Sequence, residues 1–152
     1  MDFGISFGKA REVHPLDALR RKLTRGLEVT AGAQSVSRGG EVEALVTISG
    51  AGKFGDVEVG VVCTEYYDEE DTTSTGDSST STSRSTSDDI AHESWSPVES
   101  VTGAQSVRFE IPADAPFSYS GECLSFRWEV VARGRRSRRL DAQARNEFSV
   151  HP

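Results

Sequence analysis

Two thiols, three imidazoles and two charged clusters are the side chains of this sequence best able to do chemistry. Cys63 falls on the apolar face of an alternating stretch, and Cys123 lies near the start of another. Cysteine in such a setting acts as a small hydrophobe. A pair or a reactive thiol are the alternatives, although alternation puts Cys123 opposite the Trp128 face and disfavours a core-spanning disulfide. His14, His92 and His151 are scattered, with no HxH, HExxH or CxxC spacing, and are expected to be exposed. The carboxylates Glu65, Asp68, Glu69, Glu70 and Asp71 lack the alternate spacing and turn glycine of a calcium loop, and read as a solvated strand end. A nucleophile, a base and an orienting acid do not come together in any recognisable motif, and no phosphate-cradling glycine loop opens a helix. No enzyme, metal or cofactor is expected.

The charged clusters fit binding better. Arg133, Arg135, Arg136, Arg138 and Arg139 crowd one turn of a chain whose net charge is −7. Such a turn is either a solubilising, charge-protected hairpin tip or a dock for an acidic protein segment, a phosphate or an anionic lipid surface. Arg135 and Arg136 are the first contacts to expect. Thr72 to Ser87 holds 13 Ser or Thr in 16 residues and no apolar side chain. With nothing to bury it cannot offset its ordering entropy, so a disordered loop over 70–90 is expected. It is either a neutral insertion or a regulatory loop, in which phosphorylation at Ser74, Thr80 or Ser83 would place negative charge opposite such arginines.

The 152 residues suit one domain with a core of its own. An excess of acidic over basic residues, 24 against 17, disfavours nucleic acid as a partner. No apolar run approaches the roughly 18 residues of a membrane span. Met1 to Ala10 has no secretory h-region, so a cytoplasmic setting is expected. High Gly, Ala, Arg and Val usage suits a GC-rich bacterium.

The elements that must carry these residues are strands. Residues 1–25 stand apart as an arm: Phe3, Ile5 and Phe7 between glycines, then a short helix from Pro15 with Leu16, Leu19 and Leu23 on one side and Gly26 to end it. From Leu27 the pattern alternates. Val42, Ala44, Val46 and Ile48 share a face, as do Val57, Val59, Val61 and Cys63 within a strand over 54–67. So do Val107, Phe109 and Ile111, then Leu124, Phe126, Trp128 and Val130, and finally Phe148 with Val150. Pro97 marks an edge strand or a bulge. Seven or eight short strands without helices between them predict an all-β, immunoglobulin-like antiparallel sandwich over 26–152.

Three stretches resemble arrestin-like domains: Val36-Ser-Arg-Gly-Gly-Glu-Val-Glu-Ala-Leu-Val-Thr-Ile48, Phe109-Glu-Ile-Pro-Ala-Asp-Ala-Pro-Phe-Ser-Tyr-Ser-Gly121 and Leu124-Ser-Phe-Arg-Trp-Glu-Val-Val-Ala132. The first is similar to the family's Arg-Gly-Gly/Pro-Glu strand, the others to its Ile-Pro strand end, proline-rich corner and Arg-Trp/Tyr-x-Val strand. The resemblance covers roughly residues 27–150, one sandwich where full-length arrestins have two. It implies a single-domain, bacterial-type member, a family whose bacterial relatives include sporulation-control proteins, and hence an adaptor or scaffold that binds another protein. The polar core and basic phosphate-sensing pair of visual-type arrestins are not found, so phosphate sensing is not implied. The alternative is a structural subunit of a larger assembly, with residues 1–25 as the oligomerisation arm and Phe3, Ile5 and Phe7 covered by a neighbour.

Overall fold

The computed structural model describes residues 26–49, 54–74, 80–99, 102–135 and 141–152. The N-terminal arm with its expected helix lies outside them. The described residues form nine strands: β1 (Leu27–Ala31), β2 (Ser35–Ser37), β3 (Glu41–Ile48), β4 (Val57–Ser74), β5 (Thr80–Pro97), β6 (Gly103–Glu110), β7 (Tyr119–Ser120), β8 (Leu124–Gly134) and β9 (Ala142–His151). They build a small sheet, β1-β3-β6, and a large one, β2-β9-β8-β4-β5, with β7 paired to β8.

The two sheets face each other across the alternating residues. Leu27 and Val29 of β1, Val42 to Ile48 of β3, and Phe109 meet Val57, Val59, Val61 and Cys63 of β4, Trp128, Val130 and Ala132 of β8, and Phe148 and Val150 of β9. Period-two patterning puts one face of each strand in this layer, and burying it supplies the main stabilisation, about 25 cal/mol per Å² of apolar surface. Trp128 is fully buried at the centre and donates its indole N–H to the Pro116 carbonyl at 2.8 Å. The proline-rich corner thus carries the chain from β6 in the small sheet to β7 and β8 in the large one. The all-β sandwich expected from alternation is the observed fold.

Three expectations need correction. The count is nine because β2 and β7 are too short to show a pattern. The sandwich is not wholly antiparallel: β2 runs parallel to β9, pairing Val36 with Val150, because the chain brushes past β9 between β1 and β3. The disordered loop over 70–90 is replaced by a ladder for every described residue in it. β4 and β5 pair without interruption from Thr64–Ile90 out to Ser74–Thr80. Burial is not needed there: strands already fixed in the sheet extend by backbone hydrogen bonds, and Thr suits extended backbone. Residues 75–79 lie outside the described chain.

Candidate functional site

The longest strand pair ends in an edge that no other described strand covers. β4 lies between β8 and β5, and β5 is the last strand of its sheet. Every second N–H and C=O of an edge strand points away from its neighbour, a template for a further strand. β8 follows β4 only from Val57–Gly134 to Tyr67–Leu124. Beyond Tyr67, β4 and β5 continue as a two-stranded ribbon. Pro97, as expected of an edge position, closes β5. β6 is the matching edge of the small sheet, and a groove of about 380 Å³ runs between Ser96–Glu99 and Gln105–Val107.

The pairing assigns the side chains of β5 to two faces. Asp88, Glu93 and Trp95 stand opposite Tyr66, Val62 and Gly60 on the outer face. Asp89 and His92 stand opposite Glu65 and Cys63 on the inner face. The register slips between Cys63–His92 and Thr64–Ile90, so Ala91 is an extra residue and the edge bulges there. Ile90 beside it is 55% exposed, a large apolar side chain on an otherwise polar strand.

Acidic groups dominate the far part of this edge. The Tyr67 hydroxyl donates to Asp89 Oδ2 at 3.1 Å, and Thr86 Oγ1 donates to Asp68 Oδ1 at 3.1 Å. The bond to Asp89 pushes the Tyr67 phenol above its ordinary value, and the charges of Asp89, Glu69 and Glu65 add to it. Nearer the core, the Trp95 indole N–H donates to Glu93 Oε2 at 3.2 Å, and its ring packs against Gly60, where a Cβ would lie 2.5 Å from it.

The arginine turn lies at the other end of the sheet. Arg133 pairs with Glu58 and stacks its guanidinium 3.8 Å from the Trp95 ring centroid. Arg135 is exposed, and its backbone exchanges hydrogen bonds with Asp56 and Gly55. Arg136, Arg138 and Arg139 lie outside the described residues. Gly134 is level with Val57, whereas Ser74 pairs with Thr80 at the far end of β4, about 55 Å away at 3.3 Å per residue. Ser83 stands opposite Asp71 on the same ribbon. Ser74 and Thr80 are therefore not brought near Arg133 or Arg135 within one chain.

Of the thiols, Cys63 is fully buried and Cys123 exposed, and both are free. Burial pushes the Cys63 thiol up to about 12, with the charge of Glu65 adding to it. His92 is not exposed as expected: it is half-buried, its ring centroid 5.6 Å from that of Trp128. The bulge turns it inward over the end of the core. His151 is exposed, and His14 lies outside the described residues. No group of three or more His, Cys, Asp or Glu among the described residues could hold a metal ion. No described helix is long and apolar enough to cross a membrane. The sequence leads one to expect an exposed sheet edge or a loop face as the binding surface, with Pro97 as the signal for an edge, but it does not single out Ile90 or Trp95 or say that β5 is that edge.

No family model and no curated protein matches the chain. Among solved structures, the crystal structure of Spo0M, a sporulation control protein from Bacillus subtilis, is similar at 15% identity with a TM-score of 0.47. The match covers 83% of this chain and 49% of that one, so the chain spans about half of its length.

Proposed function

We propose that this chain is a non-enzymatic, cytoplasmic adaptor of arrestin-like type that captures another protein by adding one of its strands to the β5 edge. The observation that carries the reading is the edge itself: β5 has 18 residues and, among the described residues, is paired on one side only. Edges of natural sheets are usually short, covered or twisted away, and a long open one is where strand addition supplies backbone hydrogen bonds. The arginine turn is a secondary contact at the opposite end.

Photo-crosslinking tests it. A crosslinking residue at position 90 captures one protein reproducibly from native lysate, and one at Thr47, on the exposed face of β3, does not. The purified pair then shows slowed amide exchange along β5. Capture from Thr47 alone, or protection away from β5, overturns the reading.

A further inference from the structure

We infer that the strand β5 accepts is basic: an extended peptide segment with Lys or Arg on either side of an apolar residue, at alternate positions. The inference rests on the β5-edge reading above and adds the chemistry of the partner. The carboxylates at this edge meet neutral donors. Asp89 takes the Tyr67 hydroxyl, Asp68 takes Thr86, and Glu93 takes the Trp95 indole. A neutral donor satisfies an oxygen and leaves its charge uncompensated. Arg84, on β5 itself, stands opposite Glu70, four residues from Asp88. Arg127 stands on β8, two strands in from the edge, over the Tyr66 ring and 3.8 Å from Glu147.

Position adds selectivity. Asp88 and Glu93 share the outer face, with Ile90 between them at the bulge. Side chains of an added strand alternate between faces, so its outer-facing residues would meet acid, Ile90, acid in turn. Opposite charges across a strand pair stabilise it, and like charges oppose it. A second copy of this chain, pairing β5 with β5 so that Asp88 meets Glu93, sets acid against acid. A Lys-x-Val-x-Lys segment meets both charges and covers Ile90.

The probe is a soluble peptide of three Lys-Thr-Val-Thr repeats, titrated into the full chain with amide exchange as the readout, beside the same peptide with Glu for Lys. The lysine peptide is expected to slow exchange along β5 and to weaken as salt is raised, since charge attraction is screened within about 10 Å at 0.1 M. D88K with E93K is expected to weaken it at least about tenfold, near 1.4 kcal/mol. The milder D88N with D89N, read alongside circular dichroism, keeps the test valid if the reversal unfolds the chain. Equal protection by the glutamate peptide overturns the basic preference and leaves the edge reading standing. Protection by neither peptide overturns this inference, while crosslinking at position 90 decides the adaptor reading separately. Protection elsewhere than β5 also overturns it.

Discussion

The near and far halves of the β4–β5 pair share one ladder and differ in what covers them. From Val57 to Thr64, β4 is buried on both faces apart from half-buried Glu58. The small sheet covers Val57, Val59, Val61 and Cys63, and the outer face is closed by Trp95 over Gly60. From Glu69 onward, β4 has only β5 beside it among the described residues. Backbone pairing alone thus makes a strand, but only the near half adds apolar burial to it. Stability concentrates near Trp128, and the surface free to engage a partner lies at the edge and the far half.

That contrast can be broken most strongly from the core. Trp128→Ala removes the largest fully buried side chain and its bond to Pro116, and should cost about 3–5 kcal/mol. At roughly 2–4 °C per kcal/mol for a chain of this size, calorimetry should show a Tm lower by about 6–20 °C. Gly60→Val should cost about 1–3 kcal/mol, because even a Cβ there would lie 2.5 Å from the Trp95 ring and 2.8 Å from the Ser94 carbonyl oxygen. Unfolding in urea measures it as a lower midpoint.

Cys63→Ala should cost about 1 kcal/mol near neutral pH. The thiol, ordinarily near 9.0, is held up to about 12 in the fold. The folded state therefore keeps its proton longer than the unfolded chain, so this contribution is complete below pH 9 and is lost as pH rises towards 12. The gap between wild type and variant should narrow across that window. A thiol reagent at pH 8 should modify Cys123 alone until denaturant is added.

Arg133→Ala should cost about 0.5–1 kcal/mol, since both it and Glu58 are more than a third exposed and the stack on Trp95 is partly solvated. Smallest of all is removal of the far half. Replacing residues 68–86 with Asn-Gly closes the pair at Tyr67–Ser87 and should move stability by no more than about 0.5 kcal/mol. A Tm drop like that of Trp128→Ala would show that the ribbon is part of the folding unit and end the contrast drawn above.

Much of the sandwich is legible in the sequence, because alternation is local. Val42, Ala44, Val46 and Ile48 point inward in the structure as their spacing requires, and so do Val57, Val59, Val61 and Cys63, Trp128, Val130 and Ala132, and Phe148 and Val150. The positive φ expected in the Ser37–Gly40 turn is found at Gly39, at 78°. The candidate site was barely legible. Ile90 and Trp95 sit in a segment with no clean period, since the extra residue Ala91 breaks it. The Ser/Thr tract shows no apolar pattern because it holds no apolar residue, and a strand extended by backbone pairing needs none.

The sequence by itself determined which side of each core strand is apolar, that the fold is built of strands, and where proline and glycine turn the chain. Only the tertiary structure decided which strands became neighbours. That choice left β5 and β6 as edges, set the arginine turn and the Ser/Thr ribbon at opposite ends of β4, and turned His92 against Trp128. The reason is that a period of two reports the face of a residue from its immediate neighbours, whereas strand order depends on pairings between residues distant in the chain, such as Val42 with Phe109 and Cys63 with Trp128.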